Sequence, residues 1–191
     1  METFKVAFYK AKFGDKKWID DGISIYTTTI NAIGLCLFFK FKMAWKVIKN
    51  RYSHVEVIYQ GATCPKAFTS TMRQGMAGTV IRDANGVLIH PERWDIMEIS
   101  VEKIDLRCAI AWAQWQRDNN KGYNKKTIAN FFNPFRPTQK PKNNEPNICS
   151  VAVQGFCWQA CIFKVWRIWS PIKLWWKLTK LGYKTKPLVQ N

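Results

Sequence analysis

Acidic residues are the scarce charged class in this chain of 191 residues: 13 Asp and Glu stand against 30 Lys and Arg, for a net charge of +17. From Lys121 to Asn191 there are 13 basic residues and one acid, Glu145. A field of one sign over so much of the chain argues against a cationic partner and for an anionic one. Cell-wall polymer, anionic lipid and nucleic acid all meet that description. Histidine is nearly absent, with only His54 and His90, and the six cysteines (36, 64, 108, 149, 157 and 161) contain no CxxC pair. That combination offers neither a metal-ligand spacing nor a secreted disulfide framework. It predicts reduced, mostly buried thiols in a reducing compartment, with no metal and no cofactor. A basic-then-apolar leader is missing too, since Met1-Glu2-Thr3-Phe4-Lys5 passes directly into strand-like Val6-Ala7-Phe8-Tyr9.

What is present is apolar and aromatic. The chain is 47% hydrophobic and 15% aromatic, too rich to stay disordered, and its length suits one domain, or one domain with a lobe. Alternation predicts a first strand over residues 4–12 and a second over 51–58. Further strands are expected at 68–71, 87–89 and 96–99, and a helix over 104–118 with Leu106, Ile110, Trp112 and Ala113 on its apolar face. Between the first two strands, Gly22 to Phe39 carries no charge. Eighteen such residues reach the lower edge of a membrane span, although Thr27-Thr28-Thr29 and Asn31 make the first half polar. The segment reads either as a buried helix or helical hairpin or as a membrane- or partner-inserting element. Residues 43–49 continue it as helix.

Two places carry chemistry. Arg51-Tyr52-Ser53-His54-Val55-Glu56-Val57-Ile58 is a strand whose pleat puts His54 and Glu56 on one face. This is a plausible base with its orienting acid, or two solvated polar residues on a half-exposed strand. Thr69 and Ser70 on the following strand are alternative third polar residues. Asn147-Ile148-Cys149-Ser150-Val151-Ala152 reads as a helix start in which Asn147 caps and Cys149 takes the second helical position. The first turn of a helix favours a thiolate and presents backbone N–H donors to an oxyanion; simple burial of the thiol is the plainer alternative. Cys157 and Cys161 read as packing residues, and His90, in His90-Pro91-Glu92-Arg93-Trp94-Asp95, as part of a structural turn.

Ser170-Pro171 looks like a cap followed by a first-turn proline, opening a helix that Gly182 can end. Leu174, Leu178 and Leu181 would share one face. Lys173, Lys177, Lys180 and Lys184 would form a basic stripe beside it. The stripe is either the solvated face of a packed helix or a docking surface for an anionic partner.

Taken in order, these motifs resemble the circularly permuted papain-fold hydrolases related to the NlpC peptidases, the YiiX/YaeF-like group, and most of all its short phage-encoded members. The residues that carry the resemblance are Tyr52-Ser53-His54-Val55-Glu56, Pro91-Glu92-Arg93-Trp94-Asp95, Gly122-Tyr123-Asn124, Pro134-Phe135-Arg136, Cys149-Ser150 and Ser170-Pro171-Ile172-Lys173-Leu174. Val151 stands where the group usually has an acid, Asn124 where it has Asp, and residues 22–49 look like an expanded insertion. The resemblance implies a single α+β domain over residues 1–191, with a central antiparallel sheet packed against helices and the basic helix at 170–184. It implies a cysteine hydrolase in which Cys149 attacks, His54 moves the proton and Glu56, Thr69 or Ser70 orients the imidazole. Cell-wall peptide is the favoured substrate, and a phage virion becomes a second location beside the reduced cytoplasm. The alternative is a catalytically degenerate virion or host-interaction protein of the same fold, which binds an anionic surface, nucleic acid or other virion proteins.

Overall fold

The computed structural model describes residues 1–11, 41–71, 77–119, 148–164 and 169–188, with the single positions 28, 29, 32, 33, 36 and 122. In chain order these form β1 (Glu2–Lys10), α1 (Phe41–Asn50), β2 (Tyr52–Gln60), β3 (Pro65–Thr71), β4 (Gly78–Asp83), the short α2 (Ala84–Val87), β5 (Trp94–Val101), α3 (Lys103–Asn119), α4 (Cys149–Gln159), α5 (Pro171–Lys180) and β6 (Thr185–Pro187). The strands make one antiparallel sheet in the order β4-β3-β2-β1-β5-β6. The chain is thus α+β, with a six-stranded antiparallel sheet and several helices.

Alternation divides the sheet into two faces. Phe4, Val6 and Phe8 of β1 sit opposite Val55 and Val57 of β2 and Met97 and Ile99 of β5, and all belong to the larger core cluster with α3, α4 and α5. The other face holds a smaller cluster of Ala7, Ile58, Ala67, Ala84, Trp94 and Ile96. Phe156 of α4 is the keystone of the first. Its ring lies 5.2 Å from Phe4, 5.9 Å from Tyr59 and 5.9 Å from Phe68, so it joins three neighbouring strands. Truncating such a ring costs about 3–5 kcal/mol. Residues 149 to 157 of α4 are all buried, as suits a helix with apolar residues all round.

One irregularity positions the candidate site. β1 and β2 pair Phe8 with Val55 and Tyr9 with His54, and then Lys10 with Tyr52, so the register shifts and Ser53 is the additional residue. Such a bulge breaks the alternation locally. Tyr52 therefore stays on the helix side while His54, directly after the shift, shares the opposite face with Tyr9 and Trp94.

Several expectations need correction. Residues 87–89 are not a strand: Val87 ends α2, and Asp83 caps that short helix by accepting from the Asn85 amide. Helix α4 begins at Cys149 with Ile148 as a cap that makes no side-chain hydrogen bond, so Cys149 is the first helical residue and not the second. Asn147, like Asn124 and residues 134–136, lies outside the described residues. Ser170 does cap α5, accepting from the Lys173 amide at 3.3 Å. The helix ends at Lys180, where Gly182, at φ 95°, donates to Thr179 O and Tyr183 donates to Leu178 O, the bond pair of a Schellman end. Leu181 is therefore exposed, off the buried Leu174 and Leu178 face, and Lys184 lies beyond the helix. Within residues 22–39 the five described positions are helical. Thr28 and Ala32 are buried, and Ala32 joins the helix-side core while Cys36 packs against it. Among the described residues no helix is long and apolar enough to cross a membrane.

Candidate functional site

The histidine strand is not half-exposed. His54 and Glu56 are both buried, and His54 Nε2 lies 3.0 Å from Glu56 Oε1. Two residues along a strand are about 6.5 Å apart at Cα, a gap the Glu side chain spans. The same Oε1 accepts from Arg82 Nη2 at 2.6 Å. Arg82 comes from β4, two strands away, where it pairs with Ala67 on the same face as Ile58. Burial alone pushes the Glu56 carboxyl up. The hydrogen bond from His54, its charge when the ring is protonated, and the charge and hydrogen bond of Arg82 more than reverse that, and hold it below the usual carboxylate range. Glu56 is thus an anion at neutral pH, and it fixes the imidazole through Nε2.

Of the three candidates for the orienting role, Glu56 bonds the imidazole directly. The Thr69 hydroxyl donates to Val55 O at 2.8 Å. Ser70 pairs with Thr79 one residue past Thr69, on the helix side of the sheet by alternation from Phe68. Arg82 escaped the sequence reading. Its one signal was a charged residue in the alternating Thr79-Val80-Ile81-Arg82, on the face where Ala67 faces Ile58.

The motif around Trp94 builds the surroundings. Trp94 sets its ring edge-on to His54 at 6.5 Å and to Tyr9 at 5.2 Å. Arg93 donates to the Tyr9 hydroxyl at 2.5 Å and lies over its ring. Asp95 turns to the other face, where it accepts from the Tyr52 hydroxyl at 2.6 Å and pairs with Lys10 Nζ at 2.5 Å. Burial first, then the Asp95 charge and hydrogen bond, push the Tyr52 phenol far up, so it remains a donor. Lys10, Tyr52 and Asp95 belong to three adjacent strands, so this network ties β1, β2 and β5 together at the register shift. His90, by contrast, is exposed, 3.9 Å from Glu92, in keeping with a turn residue.

Cys149 is buried in the helix-side cluster at the start of α4. His54 lies on the opposite face of the sheet, with Tyr9 and Trp94, so the structure does not bring these two predicted site residues together. Next to Cys149 the Ser150 hydroxyl, and on β2 the Ser53 hydroxyl, are buried with no hydrogen-bond partner among the described residues. Cys157 is fully buried, and burial pushes its thiol far up. Cys161 is exposed with φ 58°, so it is not a packing residue. Among the described residues no cluster of His, Cys, Asp or Glu could hold a metal ion.

At the other end of the chain the lysine stripe is partly folded onto aromatics. Lys177 Nζ lies 5.6 Å from the Trp169 ring centre and 5.5 Å from that of Trp176, and Lys180 Nζ lies 4.1 Å from Trp176. Lys173 is half-buried, and Lys180 and Lys184 are exposed.

Comparison with family models, with curated proteins and with solved structures returned no match, so the functional reading rests on the geometry of these residues and on the motif resemblance.

Proposed function

We propose that the chain is a thiol hydrolase of amidase or peptidase type, with Cys149 as nucleophile, His54 as base and Glu56 as the residue that orients the imidazole. The observation that carries this reading is the buried His54–Glu56 pair, held by the part-buried Arg82. Burying two ionisable groups is costly and seldom the most stable way to fill a sheet face. Holding an imidazole in one tautomer is what a proton-transfer residue needs. Because Nε2 faces Glu56, Nδ1 is the atom assigned to the thiol proton. The Cys149 sulfur then attacks the amide carbonyl while His54 takes its proton. The tetrahedral intermediate collapses to an acyl-thioester as His54 protonates the leaving amine, and water, deprotonated by His54, releases the acid and restores the thiol. Amides at the start of α4 would receive the developing oxyanion. Cell-wall stem peptide is the favoured substrate class, on the motif resemblance and the +17 charge.

The reading requires Cys149, on the helix side of the sheet, to meet His54, on the opposite face, at the irregular start of β2, where the extra residue Ser53 breaks the pleat. The test is hydrolysis of peptidoglycan fragments and of small amide or thioester substrates by the wild type, Cys149→Ala and His54→Ala. Loss in both variants supports the reading, and activity that survives either one removes it.

A second reading is favoured by the buried thiol and its place across the sheet from His54: a non-hydrolytic protein of this architecture that docks on an anionic partner. Here Lys173, Lys177, Lys180 and Lys184 would supply the contact, together with the basic residues among 121–142. Changing the four lysines to glutamine should then weaken binding to cell wall, anionic vesicles or nucleic acid. It should also flatten the salt dependence of that binding.

A further inference from the structure

Helix α1 presents to solvent what a helix in a folded domain normally hides. Phe41, Trp45 and Ile48 are 60%, 69% and 42% exposed. Their spacing is i, i+4 and i+7, and at 3.6 residues per turn it gathers them into an arc of about 60°. The next part of the circumference carries Lys42 and Lys49, both exposed. Ala44, on the other side of Ile48, is buried against the core, while Phe41, Trp45 and Ile48 keep much of their surface exposed. Contiguous exposed apolar surface of this kind marks a contact site.

We propose that α1 is an interfacial membrane helix. It would lie flat on an anionic bilayer with Phe41, Trp45 and Ile48 buried at the headgroup boundary and Lys42 and Lys49 on lipid phosphates. Three features select lipid over other occupants. The stripe joins a Trp and a Phe to an aliphatic residue, the mixture that favours the water–hydrocarbon boundary. Lysines border the stripe on one flank, where their stems can follow the apolar surface and their ammonium groups reach phosphate. The chain as a whole carries +17, so an anionic surface attracts it at long range. At ten residues the helix spans about 15 Å, too short to cross a bilayer and long enough to rest in one leaflet. A single residue, Arg51 at φ 41°, links α1 to β2, so a docked α1 would hold the Tyr52 and His54 end of that strand near the lipid surface. The proposal does not depend on the hydrolase reading, since it is tested by binding and not by turnover.

The experiment is co-sedimentation of the full chain with phosphatidylcholine–phosphatidylglycerol vesicles and with pure phosphatidylcholine vesicles, at low and at physiological salt. The wild type should bind the anionic vesicles, and more weakly the neutral ones. The triple variant Phe41→Ser/Trp45→Ser/Ile48→Ser should bind anionic vesicles at least about tenfold more weakly with an unchanged melting temperature, because all three side chains are exposed. Lys42→Gln/Lys49→Gln should lower anionic binding and its salt sensitivity while sparing the neutral-vesicle component. Failure of the wild type to bind anionic vesicles overturns the proposal, as does triple-variant binding within about twofold of wild type. Conversion of a wild-type dimer to a monomer by the triple variant, with vesicle binding intact, would assign the stripe to a second copy of the chain and overturn it equally.

Discussion

The imidazole side and the thiol side of the candidate site are built in different ways. His54, Glu56 and Arg82 share the sheet face away from the large helix-side core, where Glu56 bridges the other two but keeps its second carboxylate oxygen, Oε2, buried without a hydrogen-bond partner among the described residues. Cys149 lies on the helix side in mostly apolar surroundings, beside a Ser150 hydroxyl that is likewise buried and unpaired among the described residues. A buried polar group left unpaired costs about 1–3 kcal/mol, so both sides carry an unmet demand for polar partners. The difference teaches that the fold orients the imidazole through a charged partner and surrounds the thiol mainly with apolar side chains.

The sharpest way to break that comparison is by activity. Cys149→Ala and His54→Ala should each lower hydrolysis by about a thousandfold or more, and the double variant should lose little beyond either single one, because the two groups act as a unit. Additive losses would mean that they work separately. Stability should then distinguish the two sides. Arg82→Ala leaves the buried Glu56 carboxylate with one cation fewer and should cost about 3–5 kcal/mol in denaturant unfolding. Cys149→Ala removes one buried sulfur and should cost only about 1 kcal/mol; the burial of Cys149 makes that small loss visible where an exposed nucleophile would show none. Equal losses would erase the contrast.

Acid sharpens it further. Glu56 has a folded pKa below its unfolded value, near 4.3 for a free Glu. The stability that this difference supplies is fully present above the unfolded value. It is lost as the pH falls through the lowered folded value. Glu56→Gln should therefore be less stable than wild type at pH 6, with the gap closing only below about pH 4. A gap that stays constant from pH 6 to strongly acidic solution would show that Glu56 contributes by packing and not by charge. The smallest effect belongs to the C-terminal lysines. Lys177→Gln/Lys180→Gln removes two partly exposed cation–aromatic contacts and should cost no more than about 1 kcal/mol.

The legible part of this molecule was periodic. Alternation in β1, β2 and β5 and the 3.6-residue pattern of α3 reach the eye because side chains repeat with each element's own period, even in β2, which is buried on both faces. The pair His54 and Glu56 was legible for the same reason. Residues 87–89 misled because an apolar triplet has no period long enough to separate strand from turn, and Asp83 capping Asn85 settled the matter locally. β6 was invisible: Thr185-Lys186-Pro187 is three residues long, contains proline, and exists as a strand because Leu188 N donates to Trp94 O at the sheet edge. Arg82 and the Lys10–Tyr52–Asp95 network could not be read from spacing, because each bond joins strands distant in sequence. The start of α4 was placed one residue too early, at Ile148, since the cap is Ile148 itself and its side chain gives no capping signal.

The central claim is that His54 activates Cys149, and the rate at which Cys149 is alkylated tests it most directly. Native protein would be pulsed with iodoacetamide from pH 5 to 9, and labelling of each cysteine read by peptide mass spectrometry. The exposed Cys108 and Cys161 would serve as accessible controls, and the fully buried Cys157 as a protected one. The account predicts that near pH 6.5 Cys149 reacts at least about tenfold faster in wild type than in His54→Ala, while Cys108 and Cys161 react alike in both. Labelling of Cys149 that waits for unfolding, as Cys157 should, or that is indifferent to His54, would contradict it.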